Sequence, residues 1–157
     1  MVQDAGFEDG GDAPLRLKAE GEGDLPILSA LVQDAVGKVA NVKYAPGRRR
    51  FSLLLYRFRW EDREKAKRER RDAERVATAL TVNDVLGAKV SGLDPHNGEA
   101  VINLLSLAFE TGEDGAGVLT IACSGGATIR LHVECLDIAL VDLTQPWKAG
   151  AQPRHED

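Results

Sequence analysis

The stretch Val118-Leu-Thr-Ile-Ala-Cys-Ser-Gly-Gly-Ala-Thr-Ile-Arg-Leu-His-Val-Glu-Cys135 decides the fold. Apolar and polar residues alternate on both sides of a glycine pair, which marks two half-buried strands joined by a tight hairpin. A two-residue Gly125-Gly126 turn sets Ile121 opposite Arg130 and Leu119 opposite His132. Directly opposite residues share a sheet face, so that register mixes charge into the core. A three-residue loop, Ser124-Gly125-Gly126, pairs Ile121 with Ile129 and Leu119 with Leu131 instead, with Gly126 in the left-handed position of a bulged turn. The spacing therefore predicts the three-residue form.

In that register Cys123, Ile129, Leu131, Val133 and Cys135 share the apolar face. At a rise of ~3.4 Å per residue the two thiols stand ~27 Å apart, far outside disulfide reach. Both read as small core residues. After Cys135 the apolar phase slips to Leu136, Ile138 and Leu140. A bulge near Cys135-Leu136 accounts for the slip, and a short helix using Leu136, Leu140 and Leu143 is its rival.

Upstream, Leu15-Arg-Leu-Lys-Ala19 alternates as a short strand does. A helix is predicted over 24–36. Asp24 stands where it can cap the first free amides, and Pro26 lies in the first turn, where its missing N–H costs nothing. Leu28, Leu31, Val32, Ala35 and Val36 form its apolar stripe, and Gly37 supplies the stop. Val42 and Tyr44 lead through the turn Ala45-Pro46-Gly47-Arg48 into a long strand, Arg50 to Trp60. One face of this strand carries Ser52, Leu54, Tyr56, Phe58 and Trp60, an aromatic ladder read as core. The other carries Phe51, Leu53 and Leu55, then Arg57 and Arg59. The pattern predicts a central strand covered on both sides, with its arginine end emerging into solvent.

Glu61 to Asp72 is almost wholly charged and reads as a loop rather than a helical turn. Val76 to Val82 alternates, Asn83-Asp84 marks a turn, and Leu86, Ala88 and Val90 read as the returning partner strand. Gly92 to Gly98 is a loop. Ala100 to Glu110 suits helix or strand, and the neighbouring hairpin favours a strand from about Leu104.

The fold class expected is α+β: a mostly antiparallel, curled or sandwiched sheet of about seven strands with one N-terminal amphipathic helix. In a chain of 157 residues this is one domain, 14–147, between a disordered acidic tail over 1–13 and a polar tail over 148–157. Hydrophobic residues make up 43% of the chain, enough for a packed core, but aromatics only 5%, so that core is mainly aliphatic. No window approaches the roughly 18 consecutive apolar residues of a membrane helix, and the acidic start is no signal peptide. With two cysteines and no disulfide framework, the expected location is the cytoplasm.

The net charge of −5 is unevenly spread: Arg48 to Arg75 holds 12 Lys or Arg and 6 Asp or Glu, so the rest of the chain carries −11. Such an asymmetry steers association through the protein's field. No phosphate-binding glycine loop, dinucleotide fingerprint, nucleophile elbow or metal-spaced Cys or His pair is present. The expectation leans away from an enzyme and includes no cofactor and no metal. Candidate binding residues are Arg48, Arg49 and Arg50 at the start of the long strand and Arg57 and Arg59 at its end, ~30 Å away on extended chain. Arg130, His132 and Glu134 form a third set on the polar face of the last hairpin, with His96 a further candidate. The leading expectation is a non-catalytic interaction module with a protein partner at the sheet edge or the arginine end. The alternative is a small-ligand binder or enzyme around His132. Nucleic-acid binding through 48–75 comes third, because the Tyr56, Phe58 and Trp60 ladder reads as core rather than as a base-stacking surface.

Several runs stand out as a set: Ile27-Leu-Ser-Ala-Leu-Val-Gln-Asp-Ala-Val36, Tyr44-Ala-Pro-Gly-Arg-Arg-Arg-Phe51 and Tyr56-Arg-Phe-Arg-Trp-Glu61. With Ile129-Arg-Leu-His-Val-Glu-Cys-Leu136, Pro146-Trp147 and Pro153-Arg154-His155, the chain resembles an alphaproteobacterial family, domain of unknown function 2948, over Leu15 to His155. The acidic start and the 61–72 insertion look particular to this chain. The resemblance implies a small cytoplasmic bacterial protein and brings no catalytic residue with it.

Overall fold

Among the described residues every strand pairing in the computed structural model is antiparallel. The structure describes residues 15–62, 67–68, 74–143 and 147–148. The expected tails, apart from Lys148, lie outside these residues, as does most of the charged 61–72 segment.

The strands are β1 (Arg16–Ala19), β2 (Val36–Lys38), β3 (Val42–Ala45), β4 (Arg50–Phe58), β5 (Glu74–Val82) and β6 (Val85–Ser91). They continue with β7 (Val101–Thr111), β8 (Gly117–Cys123), β9 (Thr128–Val133), β10 (Ile138–Asp142) and β11 (Trp147–Lys148), and the α-helix α1 spans Leu25–Val32. They form one open sheet of eleven strands, more than the seven expected, in the order β1-β10-β5-β4-β2-β7-β8-β9-β6, with β3 beside β4 and β11 beside β5. The surplus includes β2, which falls inside the stretch expected to be helix, the two-residue β11, and β10, where strand and helix were both open.

The last hairpin has the expected register. Ile121 pairs with Ile129 and Leu119 with Leu131, and the Cys123 N–H donates to the Ala127 carbonyl around Ser124-Gly125-Gly126. Both glycines take positive φ, at 76° and 81°. Cys123 is buried, but Cys135 is exposed, contrary to expectation. The strand ends at Val133, and a bend at Glu134-Cys135 hands the core position to Leu136 before β10 begins. Residues 138–142 are strand, not helix.

Strand β7 joins the two halves of the sheet. It pairs with β2 through Val101 to Asn103 and with β8 from Leu104 on, and a bulge between Leu104 and Ser106 switches its inward face from even to odd residues. Curling at this point brings Phe51, Leu53 and Leu55 of β4 into one cluster with Ile129 and Leu131 of β9 and Leu28 and Val32 of α1. Each fully buried aliphatic side chain contributes roughly 1.5–3 kcal/mol.

Three expectations are corrected here. The helix ends at Val32, not at Gly37: Asp34 takes φ 65°, and Val36 to Lys38 pair with β4 and β7. Gly37 serves close approach rather than termination, because a Cβ there would lie 2.7 Å from the Leu54 carbonyl oxygen. Asp24 makes no side-chain cap; its carboxylate accepts the Glu20 N–H. Second, β5 and β6 are not a hairpin. Both sides of β5 are taken by β4 and β10, so the chain turns a corner at Asn83-Asp84 and β6 pairs with β9. The corner is held by hydrogen bonds from Asn83 N–H to Asp137, Val85 N–H to Arg49 and Glu134 N–H to Asp84. Third, the odd face of β4 is the core face along its whole length, and the even face with Tyr56, Phe58 and Trp60 is half-buried.

Candidate functional site

The arginine end of β4 is interior. Arg57 is fully buried and Arg59 nearly so. An arginine loses its hydration there, and it is tolerable because all five guanidinium N–H groups find acceptors. Nε donates to Asp142 Oδ1 at 3.1 Å and Nη2 to Asp142 Oδ2 at 2.9 Å. Nη1 and Nη2 donate to the two oxygens of Glu61, each at 2.9 Å, and Nη1 also to the Phe58 carbonyl at 3.0 Å. Asp142 Oδ2 accepts the Leu15 N–H as well, at 3.0 Å. Burial opposes the charge on Arg57, but its hydrogen bonds to Glu61 and Asp142 outweigh this and raise its pKa. For Glu61, burial pulls upward, and the bonds to Arg57 win and hold it below the usual carboxylate range. The group ties β4, the turn at 60–62, β10 and the entry to β1 together. It is a structural clamp with its donors occupied, so the expectation of a solvent-facing arginine end is overturned for Arg57 and Arg59.

The other candidates fall in two places. Arg48, Arg49 and Arg50 are exposed beside the β5–β6 corner, where Arg49 takes φ 53° and pairs with Glu134, and Arg50 Nε donates to Asn83 Oδ1 at 3.2 Å. The structure thus joins two of the candidate sets through Arg49 and Glu134. Arg130 and His132 stand exposed on β9, facing Lys89 and Thr120, and Gly87 and Val118. His96 is exposed in the 92–98 loop, its N–H donating to Asp94. At the same corner the Cys135 thiol donates to Asp84 Oδ2 at 3.2 Å, and this carboxylate raises its pKa.

The concave feature lies elsewhere. Between α1 and β7 is an open groove of about 560 Å³. Pro26, Ser29 and Ala30 leave its floor shallow on the helix side, Leu107 and Phe109 supply the strand side, and Gln33, Leu105 and Glu22 stand around it. Leu105 remains 45% exposed. Two contacts fix the groove's geometry: the Leu107 N–H donates to Ser29 Oγ at 3.0 Å, and Thr111 Oγ1 donates to Glu22. Past Asn103, β7 has β8 on one side and α1 on the other, so the helix covers a strand edge that would otherwise be open. Gly117 makes room for Phe109, since a Cβ there would lie 2.6 Å from the ring.

None of the groove residues was singled out from sequence. A signal did exist: in Ile102-Asn-Leu-Leu-Ser-Leu-Ala-Phe109 the apolar phase slips between Leu104 and Leu105, the mark of the bulge that leaves Leu105 outside. Among the described residues no group of three or more His, Cys, Asp or Glu could hold a metal ion. Among them, too, no helix is long and apolar enough to cross a membrane, which says nothing of spanning by strands.

Fold and groove together define an α+β domain with a curled, open antiparallel sheet and an apolar trough at its helix–strand junction. The chain belongs to the family described as protein of unknown function DUF2948, whose model matches residues 15–155. No curated protein and no solved structure matches it.

Proposed function

We propose that this chain is a non-catalytic interaction module whose partner seats a segment in the groove between α1 and β7. One observation carries the reading: a groove of about 560 Å³, within the range of ligand sites, is lined by six apolar residues and three polar ones. Its one ionisable lining residue, Glu22, is engaged by Thr111. Acid–base chemistry needs a titrating group within reach of a bound reactant, and the candidates Arg130, His132 and His96 are not among the lining residues. Shape and apolar contact are what this groove offers, which suits holding a side chain rather than transforming one.

The test is selection of displayed random peptides on the folded chain, followed by counter-screening on Ala30→Arg, which puts a long charged side chain at an exposed position of the groove lining. Clones that bind the natural chain and are lost on the variant support the reading. Selection that yields no binders, or binders indifferent to Ala30→Arg, overturns it.

A further inference from the structure

Resting on that reading of the groove, we infer that its occupant is a basic polypeptide segment: apolar anchor residues followed by lysine or arginine. The groove's two walls come from segments that carry acids and no base. Residues 20–34 contain Glu20, Glu22, Asp24 and Asp34 without a lysine or arginine, and residues 101–114 contain Glu110, Glu113 and Asp114, again without one. The Glu22–Thr111 hydrogen bond brings the two segments together at one end of the groove. Glu110 lies next to Thr111 in β7, Glu113 and Asp114 follow on the β7–β8 connection, and all three are exposed, as is Glu22.

The apolar floor and this acidic end are continuous, because Glu22 and Phe109 both line the groove and Thr111, which bonds Glu22, lies two residues from Phe109 on the same strand face. Carboxylates beside low-dielectric walls concentrate cations and repel anions. An acidic segment or a polyanion meets repulsion here, and a neutral apolar segment gains nothing from the acidic end. A segment with both characters satisfies both parts.

The probe is a short fluorescent peptide of two leucines followed by lysines, measured by anisotropy against the full chain. Three controls accompany it: glutamates replacing the lysines, serines replacing the leucines, and a scramble of the same composition. The lysine peptide is expected to bind roughly tenfold tighter than each control and to weaken as salt rises. Glu110→Gln/Glu113→Gln/Asp114→Asn, which alters exposed positions, is expected to remove most of that advantage with circular dichroism unchanged. Equal binding of the glutamate peptide, or full binding by the triple variant, overturns the basic occupant while leaving the groove reading to the display selection. Equal binding of the scramble reduces the effect to diffuse charge attraction and also overturns it. Binding that survives Ala30→Arg places the probe outside the groove and overturns both.

Discussion

Replacing Asp142 by asparagine keeps the size of the side chain and removes its charge, and the structure sets the consequence. The carboxylate accepts three N–H groups, two from Arg57 at 3.1 and 2.9 Å and one from Leu15 at 3.0 Å. An asparagine has one acceptor oxygen and an NH2 group, so at least one buried donor faces another donor. Hydrogen bonds to charged groups are worth about 1.5–3 kcal/mol each, and breaking a buried ion pair by removing one partner costs about 3–5 kcal/mol. Glu61 still holds two of the guanidinium N–H groups, which places the expected loss near the lower end, ~3 kcal/mol. That is a large share of the roughly 5–15 kcal/mol typical of a folded domain.

Urea unfolding followed by circular dichroism reads this directly. With a slope of about 1.5–2 kcal/mol per molar, the midpoint should fall by roughly 1.5–2 M with the slope unchanged. A shift below about 0.5 M would refute the clamp and class the contact with surface ion pairs. A double-mutant cycle sharpens the outcome. Arg57→Met alone leaves the Glu61 and Asp142 carboxylates buried together, whereas Arg57→Met with Asp142→Leu removes the pair and keeps Glu61 beside Arg59. The double variant should be more stable than the separate losses of Arg57→Met and Asp142→Leu predict, by about 1–3 kcal/mol.

Two further outcomes follow from the same region. Thr78 is fully buried opposite Asp142, and its Oγ1 has no hydrogen-bond partner among the described residues; Thr78→Val should therefore be neutral or raise the urea midpoint, and a loss above about 1 kcal/mol would show a partner at that hydroxyl. Glu61, with its pKa lowered in the folded state, contributes stability that is present above its ordinary value of 4.5 and is lost as pH falls through the folded value; melting temperature measured downward from pH 6 should decline below about pH 4.5, and more shallowly in Glu61→Gln.

What could be read from the sequence was whatever a period of two fixes locally. The Val118–Cys135 hairpin register was legible because a single slip exposes a wholly different set of side chains, and its loop length followed from Ile121, Arg130 and their neighbours. The sidedness of β4 was not legible in that way. Leu53 and Leu55 on one face compete with Leu54, Tyr56 and Phe58 on the other, and the deciding contact lies 85 residues on, at Asp142. Asp142 closes the apolar run Ile138-Ala-Leu-Val, where an acid looks like the end of a strand rather than the partner of a buried guanidinium. The β5–β6 corner failed for a related reason. Asn83-Asp84 has turn composition, and composition does not state whether a turn reverses a strand beside itself or sends it to another part of the sheet.

The charge asymmetry keeps its meaning after these corrections, although its carriers change. Arg57, Arg59 and Glu61 are interior, so taking them off the surface lowers the +6 of the Arg48 to Arg75 segment by only one unit. The positive field then comes from exposed residues, with Arg48, Arg49 and Arg50 at the β5–β6 corner and Lys67 and Arg68 beyond β4. The segments that wall the α1–β7 groove, 20–34 and 101–114, carry acids and no lysine or arginine. A chain with one basic region and one acidic, apolar trough orients a charged partner before contact, because the field acts over about a Debye length, ~8–10 Å, whereas packing acts only on touching. The arginines buried as a clamp fix the fold, and the proposed selection of a basic segment falls to the carboxylates left outside.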